Sequence, residues 1–148
     1  MKAAELIKNH EGFRETVYRC KAGRRTIGYG YNLDANPLQL ESSEIAHYCK
    51  SGITEAEAEK LLNDMIAKCT HELTVKLGCF TALSDNRKAA LVDMTYNLGI
   101  DGFMGFKATI AHLTRQEWTQ AAASMLASRW AAQVGGRARD LAGIVVTG

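Results

Sequence analysis

Three residues near the N-terminus carry side chains that can do acid–base chemistry together. Glu11 precedes a glycine, Cys20 follows nine residues later, and Thr26 follows six residues after that. The intervening segment is rich in β-forming residues and has a turn signal at 22–23, so a hairpin would bring Cys20 and Thr26 back beside Glu11. A carboxyl group, a polarisable thiol and a hydroxyl in one pocket can protonate a leaving group and hold a water molecule.

The elements that would position these residues are a short helix and a small sheet. Residues 2–11 have apolar side chains at helical spacing, and a glycine ends the predicted helix. Glu11 would lie at the negative end of the helix dipole, which, with partial burial, favours the protonated carboxyl group that a general acid needs. Residues 14–34 predict an antiparallel sheet in which Gly28 and Gly30 allow close backbone approach.

The rest of the chain predicts helices. The segment 54–57, Thr-Glu-Ala-Glu, has the form of a capping box and opens a long helix to about residue 76. Ser84 is a predicted N-cap, and the helix that it opens is closed by Gly99. A second capping box is predicted at 114–117, Thr-Arg-Gln-Glu. With one proline and few β-branched clusters elsewhere, the fold class is α+β and mainly α.

Composition and charge describe an ordinary globular protein. The 148 residues suffice for one domain, or for two lobes that share a chain. The formal net charge of +2 divides into +4 over residues 1–31, −5 over residues 32–75 and +3 over residues 76–148. This distribution suits an anionic polymer such as bacterial envelope or nucleic acid, although simple solvated faces would explain it equally well.

The sequence gives no sign of a membrane span or a bound cofactor. It has no run of about 18 apolar residues, and its first residues lack the apolar core of a signal peptide. We therefore expect the protein to stay in the cytoplasm of the cell that makes it, without metal or cofactor. The cysteines lack metal-ligand spacing, and reduced thiols are expected there, whereas a periplasmic site would allow disulfides. Three of them are expected in core or half-buried positions: Cys49, Cys69 and Cys79.

The motif Glu11, eight residues, Cys20, five residues, Thr26, followed by Ile-Gly-Tyr-Gly, resembles the phage-type lysozymes related to the T-even phage enzyme. The resemblance continues towards the C-terminus, for example at Arg87, Ala89, Ala90, Leu91, Gly105, Phe106, Trp118, Ser128, Arg129, Trp130, Arg137 and Ala138. It implies a single lysozyme domain over 1–148 with a two-lobe fold. The expected parts are an N-terminal lobe of about 12–60, a connecting helix of about 54–76, and a helical C-terminal lobe of about 77–148 with helix 1–11.

The resemblance also implies an activity and residue roles. The expected reaction is hydrolysis of β-1,4 bonds between N-acetylmuramic acid and N-acetylglucosamine, by a phage endolysin. Glu11 would be the general acid, while Cys20 and Thr26 would hold the attacking water. We expect the Cys20 thiol to be largely neutral at pH 7 unless a cation such as Arg19 or Lys21 lowers its pKa. The expected substrate-binding residues are Asn32, Tyr96, Thr109, Ser124 and Arg137, the last as an ion pair with Glu11.

The implied partner is peptidoglycan, reached in the periplasm after a holin permeabilises the inner membrane of the host. We expect a monomer that neither binds nucleic acid nor inserts stably into membranes. One alternative makes Cys20 a nucleophile, which would need a neighbouring histidine that the sequence does not place there. A non-enzymatic alternative is a cationic protein that binds or disrupts the bacterial envelope through its basic surface.

Overall fold

The computed structural model describes residues 2–148 and shows a mainly helical chain with one small antiparallel sheet. The strands are β1 (Arg14–Arg19), β2 (Arg25–Gly28) and β3 (Tyr31–Asn32). The helices are α1 (Lys2–Glu11), α2 (Ser42–Ser51), α3 (Glu55–Lys76), α4 (Asp85–Met104), α5 (Lys107–Thr114), α6 (Trp118–Leu126), α7 (Arg129–Val134) and α8 (Gly136–Thr147), with a short 3-10 helix at Phe80–Ala82. The predicted α+β, mainly α class is confirmed.

The chain divides into two compact units. The sheet unit comprises Ile7–Ala67, and the helical unit comprises residues 2–6 together with Lys68–Gly148. Each has its own apolar core, as burial of nonpolar side chains requires. The most deeply buried side chains of the sheet unit include Ile7, Ile27, Leu33 and Leu62. Those of the helical unit include Leu73, Leu91, Met94, Phe103, Leu113, Met125 and Leu141.

The sheet has the order β1-β2-β3 with antiparallel neighbours. The predicted turn at 22–23 is present: the Gly23 N–H donates to the Cys20 carbonyl at 2.8 Å, and the Cys20 N–H donates to the Arg24 carbonyl at 3.0 Å. Gly23 has φ +78, a conformation that glycine adopts without strain. The hairpin therefore forms where the sequence predicts it.

The first predicted capping box is confirmed at the start of α3. The Glu57 N–H donates to Thr54 Oγ1 at 3.1 Å, and the Thr54 N–H donates to Glu57 Oε1 at 2.9 Å. Ser84 is likewise the N-cap of α4, since its Oγ accepts from the Arg87 N–H at 3.2 Å. These side chains satisfy backbone donors that have no partner within the first helical turn.

The second predicted capping box is wrong. Thr114 is the last residue of α5, and its hydroxyl donates back to the Ile110 carbonyl at 2.8 Å. Gln116 has φ +59, which breaks the helical path, and the Glu117 carboxylate instead pairs with His112 Nδ1 at 2.9 Å. Residues 114–117 therefore lie at the junction of α5 and α6, and the Thr114 side chain does not cap the start of a helix.

Gly99 leaves the helical conformation as predicted, with φ +77 and ψ 159, although helical residues resume beyond it and α4 extends to Met104. All four cysteines are free thiols. Cys69 is buried and Cys79 half-buried, as expected, whereas the same prediction for Cys49 is wrong because this side chain is exposed on α2.

Candidate active site

Glu11 is the last residue of α1, and a glycine fixes where the helix stops. Gly12 has φ +70, and its N–H still donates to the Lys8 carbonyl at 2.9 Å, so the chain turns away directly after the carboxylate-bearing residue. The ammonium of Lys8, one turn earlier, pairs with Glu59 of α3 at 2.6 Å and lies 5.3 Å from the centre of the Tyr29 ring. The end of α1 is thereby held within the sheet unit.

The Glu11 side chain is half-buried and lies directly against the backbone of Gly30. A Cβ atom built on Gly30 would lie 2.5 Å from Glu11 Oε1 and 2.6 Å from Glu11 Cδ. Such distances are far inside van der Waals contact, so the carboxyl group fills space that only glycine leaves open. Gly30 has φ +77 in the connection between β2 and β3.

Three residues form a row across the sheet. Tyr18 of β1 pairs with Thr26 of β2, which in turn pairs with Asn32 of β3. Side chains at directly paired positions of antiparallel strands project from the same face. Thr26 is buried, whereas Tyr18 and Asn32 are half-buried. The structure thus places the predicted Thr26 and Asn32 side by side, with the Asn32 carboxamide oxygen accepting from the Ala35 N–H at 2.9 Å.

Cys20 follows β1 immediately and begins the turn of the hairpin. Burial raises the pKa of its thiol, but hydrogen bonds from the backbone N–H groups of Arg24 and Ala22 and from the Thr26 hydroxyl outweigh it, and the pKa is lowered overall. The effect comes from backbone and hydroxyl donors. The Arg19 guanidinium, a cation that would lower this pKa if it faced the sulfur, donates to the Gly23 carbonyl at 2.8 Å.

The Thr26 hydroxyl serves two neighbours in the hairpin. In the structure it donates to the Arg24 carbonyl at 2.9 Å, and by turning its one proton towards the Cys20 sulfur it would stabilise a thiolate instead. A hydroxyl has one proton and two acceptor lone pairs. While the hydroxyl donates to the Arg24 carbonyl, its lone pairs can accept a hydrogen bond from a thiol or a water molecule. Thr26 and Cys20 can therefore hold a water between them.

Tyr18 is a functional candidate that sequence reasoning missed. Burial raises the pKa of its phenol, the negative charge of Glu11 and that of a Cys20 thiolate raise it further, and the Arg14 guanidinium opposes them. That guanidinium lies 4.4 Å from the centre of the Tyr18 ring. Tyr18 is thus a neutral hydrogen-bond donor in electrostatic contact with both predicted catalytic residues. The available signal was its position in the predicted β segment, two residues before Cys20.

The helical unit contains the other predicted binding residues. Thr109 is buried on α5, and its hydroxyl lies 2.6 Å from the Ser124 hydroxyl on α6. Ser124 donates to the Ala121 carbonyl at 2.7 Å, so Thr109 is the donor in the hydroxyl pair. Tyr96 is half-buried on α4. Arg137 of α8 pairs through Nε with Asp93 Oδ1 at 2.8 Å, while the expected pairing of Arg137 with Glu11 stays a prediction.

Thr109 and Ser124 line a pocket of about 430 Å³ in the helical unit. Phe106 and Trp130 form one wall, with ring centroids 5.9 Å apart and nearly perpendicular rings. Lys107 and Arg129 add exposed cations to the lining. The lining therefore combines an aromatic wall with two hydroxyl groups and two exposed cations. The resemblance had indicated the two hydroxyl residues but not the aromatic wall or the cations as pocket lining.

Within residues 2–148, no group of three or more His, Cys, Asp or Glu side chains is arranged to hold a metal ion. Nor does that part of the chain contain a helix with the length and apolar character needed to cross a membrane.

Comparison with known proteins decides the family. The family model described as Phage lysozyme matches residues 8–146. The chain belongs to the phage lysozyme family. The matched region contains Glu11, Cys20 and Thr26, and the predicted resemblance and lysozyme-like fold are confirmed. Membership supports a glycoside hydrolase that acts on peptidoglycan.

Curated relatives are similar at low identity. The endolysin of Acyrthosiphon pisum secondary endosymbiont phage 1 is 28% identical over 145 residues, which cover 97% of this chain and 88% of that protein. Probable T4-type lysozyme 1 of Dictyostelium discoideum is 26% identical over 159 residues, covering 97% and 93%. The pre-baseplate central spike protein Gp5 of Enterobacteria phage T4 is 26% identical over the whole of this chain, which spans 28% of that protein. The chain is thus similar to nearly the whole of a protein named as a probable lysozyme and to part of a larger phage protein.

Proposed function

We propose that this chain is a muramidase that hydrolyses the β-1,4 bond between N-acetylmuramic acid and N-acetylglucosamine. The observation that carries the proposal is the arrangement of the sheet unit. One carboxyl group, Glu11, is packed at the end of a helix, and a thiol and a hydroxyl, Cys20 and Thr26, are in contact on one hairpin. Tyr18 is coupled electrostatically to both Glu11 and Cys20, which supports a common site.

In this mechanism Glu11 donates its proton to the glycosidic oxygen as the bond to the sugar carbon breaks. A water molecule held by Cys20 and Thr26 attacks that carbon from the opposite face. The attacking water passes its proton to a neighbouring solvent water as the new C–O bond forms, and Glu11 takes up one proton from solvent, so protons balance and the net reaction is hydrolysis. Tyr18, as a neutral phenol, orients groups in the site without taking the proton.

The substrate contacts belong to the same proposal. Asn32 lies beside Thr26 in the sheet row, so its amide suits a sugar hydroxyl next to the reacting bond. In the helical unit, Thr109 and Ser124 offer hydroxyl groups to a ligand in the pocket, and Lys107 and Arg129 offer charge complementary to the carboxylates of peptidoglycan. We assign Tyr96 and Arg137 to substrate binding on the resemblance.

The decisive experiment is digestion of purified peptidoglycan, with reducing ends and fragment masses measured. A muramidase leaves N-acetylmuramic acid at the new reducing end, whereas a glucosaminidase would leave N-acetylglucosamine. Glu11→Gln should lower turnover by about 10²- to 10⁴-fold while the circular dichroism spectrum is retained, because it removes the proton donor and little volume. Near wild-type turnover in this variant would refute the assignment of Glu11.

The biological role that we propose is host lysis by an endolysin, as a monomer that depends on a holin for access to the periplasm. Expression in a Gram-negative host should leave cells intact until chloroform permeabilises the inner membrane. Glu11→Gln is the matched control, because a protein that disrupts envelopes through its basic surface would still lyse the permeabilised cells. Lysis without permeabilisation would overturn the holin dependence.

A further inference from the structure

Gly30 differs from the other glycines of the sheet unit in the atoms that a Cβ atom built on it would contact. Cβ atoms on Gly12 and Gly23, which also have positive φ, would meet nothing within 4 Å. A Cβ on Gly28 would lie 3.2 Å from the Ala58 side chain, and one on Gly52 would lie 2.6 Å from the Glu15 carbonyl oxygen. At Gly30 the atoms met are Glu11 Oε1, Cδ and Cγ, at 2.5, 2.6 and 3.1 Å.

These distances show that Gly30 not only allows the turn but also leaves room for the Glu11 side chain. Its φ of +77 resembles that of Gly23, so the backbone reason for glycine is the same at both positions. The space above its Cα is occupied by three atoms of the Glu11 side chain: Cγ, and Cδ and Oε1 of its carboxyl group. A methyl group there would have to move that carboxyl group outwards by roughly 1 Å to reach an ordinary contact distance of about 3.5 Å.

We propose that Gly30 is a positioning residue for hydrolysis. Because Gly30 has no side chain, the Glu11 carboxyl group packs directly against its Cα, and this contact fixes the direction in which Glu11 delivers its proton. The proposal rests on the assignment of Glu11 as proton donor. A general acid acts only within hydrogen-bond reach of the leaving oxygen, and a misplacement of about 1 Å lowers the rate by about 10²-fold. Because Gly30 has no side chain, Glu11 is held where it can donate its proton efficiently.

The contact itself is tested by a double-mutant cycle on unfolding, with no reference to activity. Gly30→Ala and Gly23→Ala are each made in the wild-type and Glu11→Ala backgrounds, and unfolding is measured in urea. Both alanines carry the strain of positive φ, which should raise the unfolding constant roughly tenfold. Gly30→Ala should raise it by roughly a further tenfold, as overpacking does, and Glu11→Ala should remove that excess.

The matched control, Gly23→Ala, should respond equally in the two backgrounds, because no side chain lies near its Cβ. If Gly30→Ala alone fails to fold, recovery of folding in Gly30→Ala/Glu11→Ala gives the same result. The proposal is overturned if the effect of Gly30→Ala is the same whether or not the Glu11 carboxyl group is present.

Kinetics on a soluble peptidoglycan fragment then separate positioning from a merely structural role. At a temperature where both variants are folded, Gly30→Ala should lower kcat about 10²-fold with little change in KM, because the substrate still binds but the acid is displaced. An equal kcat for Gly30→Ala and Gly23→Ala would overturn the positioning role. An active Glu11→Gln enzyme would instead refute the proposed function, and the unfolding cycle would still report on the packing.

Discussion

The Arg137 guanidinium and the Asp93 carboxylate form an ion pair inside the helical unit, with 2.8 Å between Nε and Oδ1. The Asp93 side chain is fully buried, and that of Arg137 is 9% exposed. Two charges removed from water in this way must compensate each other. The residue that the resemblance assigns to an ion pair with Glu11 is therefore also held by an acid of its own unit, on the neighbouring helix α4.

Asp93→Ala should destabilise the protein by about 3–5 kcal/mol, because it leaves the Arg137 charge buried without this partner. Asp93→Asn should cost less, since the amide oxygen still accepts from Nε. Urea unfolding measures both. The matched control is Asp64→Ala in the exposed Lys60–Asp64 pair on α3, where solvent screens the charges and the loss should be small. Equal losses of unfolding free energy at Asp93 and Asp64 would show that the buried pair contributes no more to stability than the exposed pair.

The pocket of the helical unit gives a prediction about binding. Ser124→Ala and Arg129→Ala should raise KM on peptidoglycan fragments severalfold and change kcat less, because both side chains line the pocket of the helical unit and neither is a predicted catalytic residue. Arg115→Ala, an exposed cation that does not line the pocket, is the control for net charge. A similar rise in KM for Arg115→Ala would point to a general charge effect.

The capping box at the start of α3 should contribute measurably to stability. Thr54→Ala removes the hydroxyl that accepts from the Glu57 N–H and should cost about 1 kcal/mol in the free energy of unfolding. Thr114→Ala is the control, because Thr114 begins a sequence motif of the same form but its hydroxyl caps no helix. The difference between the two threonines, measured by urea unfolding, tests the assignment of the two motifs.

The same capping box predicts a pH dependence. Hydrogen bonds from the Thr54 N–H and hydroxyl hold the pKa of Glu57 below its usual value. A carboxyl group with a lowered folded-state pKa stabilises the fold above its unfolded pKa, and this contribution is lost as the pH falls through the folded-state value. The stability of wild type relative to Glu57→Gln should therefore be constant near neutral pH and decline below about pH 4. A difference that grew towards acid pH would contradict the lowered pKa.

Local signals explain what the sequence predicts well. The hairpin follows from β-forming residues around a glycine turn, and the Thr54 box follows from a hydroxyl and a carboxylate three residues apart before a helical pattern. The second box has the same letters, but Gln116 takes a left-handed conformation and the Glu117 carboxylate is engaged by His112. Neither the backbone conformation of Gln116 nor the His112 partner can be read from the four letters of the motif, which is why the pattern alone fails there.

In the candidate site, too, the sequence predicts the local contacts but not the contact between separate elements. Thr26 and Asn32 are paired across strands, which a hairpin pattern can suggest, whereas the packing of Glu11 on Gly30 joins a helix end to a strand connection. Glycine has no side chain to reveal such a contact, so its sequence signal is only the need for flexibility. The exposure of Cys49 was missed for a related reason, since a single helical position does not disclose which face is covered.

The ionisation of Cys20 can be measured directly. Cys49→Ser/Cys79→Ser leaves two thiols, Cys20 and Cys69, and burial raises the pKa of Cys69 to about 12, so it should not react. Alkylation by iodoacetamide, followed by mass spectrometry across pH, should give Cys20 a lower midpoint than an unperturbed thiol has. Thr26→Val should move that midpoint upwards, because it removes a hydroxyl that stabilises the thiolate, and Thr26→Ser should restore it.

The role of Cys20 in the reaction follows from comparing its substitutions. If it positions water as a neutral group, Cys20→Ser should retain activity and the same pH profile, since a hydroxyl also holds water. Cys20→Asp should be active, because a carboxylate accepts the water proton better, and Cys20→Ala should lose most activity through lost polarity and volume. A thiolate acting as base would instead give an acid limb that matches the alkylation midpoint and disappears in Cys20→Ser. That result, with Cys20→Ser inactive at every pH, would replace water positioning by base catalysis.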